Sequence, residues 1–182
     1  PTDPLNDCAV MPALLNGMAK EAGLDAPPEG LWPDWSDPRV DAVVPLMPGP
    51  HYFGSDGLAT VSTPILLVEG ETDWAQGAAS QYYKPYTLLP ADHKTHVFFA
   101  LGDHGLSLNN CEAMPALIDM GFSWFCDDQV WDGARAHDLI NHFVTAFMLA
   151  ELKGDANAAA ALAPETAAFR GVEYETTAYG AK

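Results

Sequence analysis

The chain has 182 residues, with 25 acidic side chains against 8 basic ones and a net charge of −17. Nucleic acids and anionic membrane surfaces select Lys/Arg patches, so this balance argues against both as partners, and no apolar run approaches the ~18 residues of a membrane span. The length would normally serve one domain with its own core, and the acidity reads as a solubility feature of a secreted or salt-exposed protein.

Residues 1–38 are rich in proline, glycine and aspartate. They contain one short helical candidate, Ala9 to Ala22, and read as a surface excursion leading into the first strand. Asp37-Pro38-Arg39 breaks the chain before an apolar run from Val40 to Met47, which Pro48-Gly49-Pro50 stops. The loop from Pro48 to Gly57 carries His51, Tyr52 and Phe53. Pro64 opens a second run, Ile65 to Glu69, which ends in Gly70-Glu71-Thr72-Asp73-Trp74. About twenty residues then lead to a third, His96 to Leu101, enough for the right-handed helical crossover of a parallel pair. None of the three runs alternates in and out, as expected of strands buried on both faces of a parallel sheet.

The third run leads into Leu101-Gly102-Asp103-His104-Gly105 and an irregular, cysteine-flanked segment up to Trp131. The clearest helix follows. Ala136, Leu139, Ile140, Phe143, Val144, Phe147 and Met148 recur at the spacing of one helical face, and Lys153-Gly154 supplies the stop. Asp155 is placed to cap a short helix from Ala156 to Ala163, which Pro164 ends. The tail, Glu165 to Lys182, reads as a surface strand without chemistry, so the chain divides into 1–38, 39–154 and 155–182.

Three strands of this kind would expose an apolar edge. The expectation is the C-terminal portion of a larger domain, completed by another polypeptide or by a separated N-terminal part of the same precursor. A start at Pro1 without methionine agrees with processing. The cysteine count of three is odd, and in an extracellular protein an odd count points to a partner outside the chain. Cys111 and Cys126 flank a loop that a disulfide would close, which leaves Cys8 to bond a cysteine of the upstream part. The competing reading is three thiols in a cytosolic protein.

Asp73 and His104 each follow a buried run, at the carboxyl end where open α/β sheets carry functional groups. In serine hydrolases built on such a sheet the chain order is nucleophile, acid, histidine, so the nucleophile is expected upstream. None of the six serines lies in a G-x-S-x-G elbow. Ser55, in Phe53-Gly54-Ser55-Asp56-Gly57, has its first glycine adjacent to it and reads as a loop turn. Cys8 lacks the strand and glycines of an elbow. In this arrangement Asp73 accepts from the histidine Nδ1, and His104 acts as general base and then general acid.

Glu69 and Glu71 compete with Asp73 for the acid role. Asp103, adjacent to the histidine, is the poorer orienting acid. His93, His96, His137 and His142 are assigned to structure and no metal is expected, since five residues on a helix is a poor ligand spacing. His51, Tyr52, Phe53 and Trp74 lie on loops at the same edge, either as the apolar wall of a substrate pocket or as core aromatics beneath those loops.

The succession Asp37 to Val44, Phe53 to Leu58 and Thr63 to Asp73 resembles the later half of predicted dienelactone hydrolases. These are α/β-hydrolases, beside the platelet-activating-factor acetylhydrolases and cutinase-like polyester hydrolases. Ala136 to Phe143 with Leu152 to Asp155 is similar to the group's C-terminal helix. The resemblance, from about residue 30 onward, implies the C-terminal half of an α/β-hydrolase, an open, mostly parallel sheet with flanking helices that is incomplete without an N-terminal part. It matches Asp73 to the triad acid and His104 to the triad histidine, and puts the nucleophile and oxyanion-hole amides on the missing part. The motif Gly102-Asp103-His104-Gly105 departs from the more usual Gly-x-Gly-His. Cys8 is placed like the second cysteine of a pair that commonly follows the group's nucleophile helix.

The implied activity is carboxylic ester hydrolysis through an acyl-enzyme, on a small or polymeric ester, without a cofactor and in a secreted, periplasmic or extracellular setting. The alternative is a non-catalytic hydrolase-like subunit or binding module.

Overall fold

The computed structural model describes residues 11–29, 32–33, 36–49, 54–73, 85–90, 92–108 and 111–180. The chain divides into two units, Pro1–Pro38 and Arg39–Lys182. In the first, helix α1 (Met11–Glu21) ends in a Schellman turn. Leu24 N–H donates to Ala19 O at 2.8 Å and Gly23 N–H to Lys20 O at 3.0 Å, with Gly23 at φ 71°, the left-handed conformation glycine adopts at least cost.

The second unit is an α/β mix built on a small mixed sheet of order β1-β2-β3. Strand β1 (Ile65–Gly70) runs parallel to β2 (Lys94–Phe99), from Ile65 opposite Lys94 to Gly70 opposite Phe99. Strand β3 (Val172–Thr176) is antiparallel to β2, with Thr95 opposite Thr176 and Phe99 opposite Val172. The expected mostly parallel sheet is therefore mixed among the described residues. The reason lies in the tail: Val172, Tyr174 and Thr176 are half-buried while Glu173 and Glu175 are exposed, a two-residue period that suits a strand with one wet face.

The run from Val40 to Met47 contributes only two isolated parallel bridges to β1, at Val43–Ile65 and Leu46–Val68. Its bonds otherwise keep a parallel rhythm. Val43 N–H donates to Pro64 O, Val43 O and Pro45 O accept from Leu66 and Val68 N–H, and Met47 N–H donates to Val68 O. The missing donor is Pro45, which has no N–H to offer. An expected strand is thereby reduced to two bridges.

Every residue of β1 is buried, as its unbroken apolar run demands. In β2 Lys94, Thr95, Val97 and Phe99 are buried while His96 and Phe98 stay half-buried, so the expectation of burial on both faces holds for β1 and is relaxed for β2. The short helix α2 (Gly54–Leu58) precedes β1, α3 (Pro85–Leu88) lies between β1 and β2, and α4 (Pro115–Asp119) lies between β2 and a long helix, α5 (Gly133–Lys153). The expected turn at Ser55 is thus the short helix α2, and Ser55 Oγ there donates to Asp56 Oδ1 at 3.4 Å.

Asp132 caps α5 by accepting from Arg135 N–H, and Gly154 ends it at φ 62°. Asp155 then caps α6 (Ala156–Ala161) through the N–H groups of Asn157 and Ala158. Leu139, Phe143 and Phe147 of α5 pack with Leu66, Val68, Val97 and Phe99 in the main core. Truncating a buried phenylalanine such as Phe143 to alanine would cost about 3–5 kcal/mol. The other face of β1 packs in a smaller cluster of Ile65, Leu58 and Leu89. Among the described residues no helix is long and apolar enough to cross a membrane.

Candidate active site

Because β1 and β2 are parallel, their carboxyl ends lie on one edge of the sheet, and the loops that leave them meet there. The contact is close. A Cβ on Gly70 would sit 2.5 Å from Gly102 O, and a Cβ on Gly102 would sit 2.5 Å from Leu106 Cδ1 and 2.9 Å from Phe99 Cβ. Gly70 lets the two loop backbones touch, and Gly102 lets the histidine loop fold tightly over Phe99 and Leu106.

Polar bonds then fasten one loop to the other. Thr72 N–H and Thr72 Oγ1 both donate to Gly102 O, at 2.8 and 3.0 Å. Glu71 N–H donates to Phe99 O at 3.0 Å, and Glu71 Oε2 accepts from Leu101 N–H at 2.8 Å, at a residue held at φ 56°. Glu71, a competitor for the acid role, is therefore a loop clamp. Glu69 is turned to another partner: its Oε2 lies 2.8 Å from His96 Nε2, near enough for an ion pair but off the line of a hydrogen bond.

The outcome of this fastening is a carboxylate–imidazole pair. His104 Nδ1 lies 3.0 Å from Asp73 Oδ1 and 3.1 Å from Oδ2. The Asp73 side chain is fully buried and that of His104 is 23% exposed. A carboxylate on Nδ1 places the ring proton there and leaves Nε2 as the basic nitrogen. The hydrogen bond to Asp73 is the main cause that raises the His104 pKa above its ordinary value. Burial opposes it, and the charges of Asp73 and Asp103 add to the rise.

Asp103 does not compete for the ring. Its Oδ1 accepts from Gly105 N–H at 2.7 Å and caps the short 3-10 turn His104–Ser107. Burial pushes its carboxyl pKa up, helped by the charges of Asp128 and Asp73, while the Gly105 bond and His104 pull it down. Ser107 Oγ donates to the backbone oxygen of His104 at 3.1 Å, so its hydroxyl serves the turn.

Sequence reasoning missed Asp128. Its Oδ2 accepts from Asp103 N–H at 2.8 Å, and its Oδ1 accepts from Val130 and Trp131 N–H at 2.8 and 2.6 Å. One carboxylate thereby ties the histidine loop to the segment leading into α5. Trp131 reinforces the tie by donating its indole N–H to Ala100 O at 2.9 Å. The Asp127-Asp128 pair carries no sequence signal that separates it from ordinary surface acids.

Cys111 and Cys126 form a disulfide with their Cα atoms 5.1 Å apart. The segment it closes reaches the pair: the Phe125 ring lies 6.2 Å from the His104 ring. His51, Tyr52, Phe53, Trp74 and Cys8 lie outside the described residues. His137 Nε2 bonds Leu108 O at 2.6 Å, and His142 packs on Phe143 and Phe169. His93 Nδ1 lies 3.7 Å from Glu151 Oε2. Among the described residues no three His, Cys, Asp or Glu side chains gather as metal ligands. A scan against protein-family models finds no match to this chain, and a search of curated proteins finds none either.

Proposed function

We propose that this chain supplies the acid and the general base of a serine hydrolase that cleaves carboxylic esters, with the nucleophile on an N-terminal part of the same precursor or on a partner chain. The observation that carries this reading is the Asp73–His104 pair, hydrogen bonded at 3.0 Å, at the shared carboxyl edge of two parallel strands. That edge is where open α/β sheets hold reacting groups. The acid-then-histidine order agrees with an α/β-hydrolase whose nucleophile precedes both.

In the proposed reaction His104 Nε2 takes the serine hydroxyl proton as the serine oxygen bonds the ester carbonyl carbon. The imidazolium is stabilised by Asp73 and returns the proton to the departing alcohol as the C–O bond breaks, leaving an acyl-enzyme. Water repeats the sequence and releases the acid. The Cys111–Cys126 disulfide favours an extracytoplasmic setting, where such bonds persist. In this reading Cys8, the third cysteine of the chain, makes the covalent link to the nucleophile-bearing part.

The test is labelling of the native material with a fluorophosphonate serine probe, resolved on reducing and non-reducing gels. Label on a polypeptide that parts from this chain only on reduction is the expected result. A folded assembly in which nothing labels would rule out the serine mechanism and leave a binding subunit.

A further inference from the structure

The disulfide-closed segment beside His104 has an unusual surface. Ile118, Met120, Phe122 and Trp124 are 45%, 60%, 45% and 51% exposed. The segment has no Lys or Arg, and its only charges are Glu112 and Asp119. An apolar patch of this kind on a strongly acidic protein marks a binding surface more often than chance.

The patch is also held in shape. Phe122 N–H donates to Leu117 O at 2.8 Å, Gly121 N–H to Ile118 O at 2.9 Å and Phe125 N–H to Phe122 O at 3.0 Å, inside the loop that Cys111 and Cys126 close. Its aromatic rings form a row. Phe122 lies 6.1 Å from Trp124, Trp124 5.8 Å from Phe125, and Phe125 6.2 Å from His104. The histidine turn packs against the backbone of this segment, since a Cβ on Gly105 would lie 3.3 Å from Phe125 O.

From these observations we infer that the row Phe122–Trp124–Phe125 is the subsite for the apolar acyl chain of the ester, so that the substrates are neutral esters of medium or long acyl chains. The inference rests on the ester-hydrolase reading. An acyl chain is the occupant because the row ends at His104, which would contact the reacting ester group, and a neutral one because Glu112, Asp119 and the net charge of −17 disfavour anionic ligands.

The experiment uses the native assembly and two esters, p-nitrophenyl acetate and p-nitrophenyl octanoate, on the parent and on Phe122→Ser and Trp124→Ser. Two methylenes removed from water correspond to roughly a tenfold preference, so the octanoate-to-acetate ratio of kcat/KM should fall at least tenfold in each variant. A second readout needs no turnover and keeps the row aromatic: the emission of the parent against that of Trp124→Phe on addition of 2-undecanone, a carbonyl with an alkyl chain and no leaving group. A blue shift in the parent that Trp124→Phe loses is expected. Hydrolysis of both esters with an unmoved ratio and no Trp124 shift overturns the subsite while leaving the hydrolase in place. A Trp124 shift without hydrolysis of either ester supports the apolar subsite and removes the esterase.

Discussion

Asp128→Asn isolates the tie that holds the histidine loop. The asparagine oxygen still accepts from Val130 and Trp131 N–H, which lie 2.8 and 2.6 Å from Asp128 Oδ1, while the amide nitrogen replaces the Oδ2 atom 2.8 Å from Asp103 N. A charge-assisted bond becomes two donors face to face. Such bonds contribute about 1.5–3 kcal/mol when dry. Asp128 is half-buried, and water filling the gap reduces the loss to about 1–2 kcal/mol. For a chain of this size that is a fall in Tm of about 2–8 °C. The kinetic effect exceeds the thermal one if the histidine shifts, because a displacement of about 1 Å at a reacting group is worth up to ~100-fold in rate. The expected result is kcat down about 10- to 100-fold with the raised His104 pKa retained, since its main cause, Asp73, is untouched. Calorimetry, steady-state ester hydrolysis and NMR titration of His104 make the measurement. A variant with parent Tm and parent kcat would refute the claim that Asp128 positions the loop, and one whose His104 pKa collapses would show that Asp128 acts through the Asp73 bond instead.

Asp73→Asn should lower kcat by about 10⁴-fold through the wrong ring tautomer, and should lower the His104 pKa, because its main upward cause is removed while burial still pulls down; NMR titration reads this without turnover. Since the folded His104 pKa is raised, the pair's stabilisation is complete below the ordinary value of about 6.5 and is lost as pH rises through the folded value. The denaturant midpoint should therefore decline over that range in the parent and not in His104→Gln, while ester hydrolysis, which in the proposed mechanism needs neutral His104, should rise over the same interval. Reducing the Cys111–Cys126 bond, whose cysteines are 15 residues apart, should cost about 3 kcal/mol, or ~6–12 °C in a reductant-dependent melt; an unchanged Tm would show the loop to be held by other contacts. Gly70→Ala forces a Cβ to within 2.5 Å of Gly102 O, a backbone atom that cannot swing aside, so the Asp73 and His104 loops must part, and a crystal structure with both loops in place would contradict this.

Strand β1 and the residues after it were legible because a buried strand writes itself as an unbroken apolar run and its end as glycine. Helix α5 was legible through its face and its stop at Gly154, at φ 62°. The Val40 to Met47 run misled by the same logic. Its apolar character was right, but the missing Pro45 N–H costs one rung, and hydrophobicity does not count donors. The tail was read as a surface strand, yet its partner was not, because antiparallel pairing with β2 depends on where the intervening α5 and α6 return the chain.

The site divides along the same line. That Asp73 and His104 would meet was legible from their positions, since each lies in a glycine-bearing loop at the carboxyl end of a buried run. Asp128 could not, because nothing local distinguishes a carboxylate that accepts three backbone N–H bonds from one that faces water. Gly70 and Gly102 fall between the two cases. As sequence they read as strand ends; in the fold Gly70 is where the two loops approach closer than a side chain permits, Gly102 is where the histidine loop packs on Phe99 and Leu106, and Thr72 Oγ1 donates to Gly102 O. The acid and the base therefore do not occupy separate, independently built positions. Their separation of 3.0 Å depends on the close backbone contact at Gly70 together with the Thr72 and Glu71 bonds, so a change at Gly70 acts on the geometry of both groups at once.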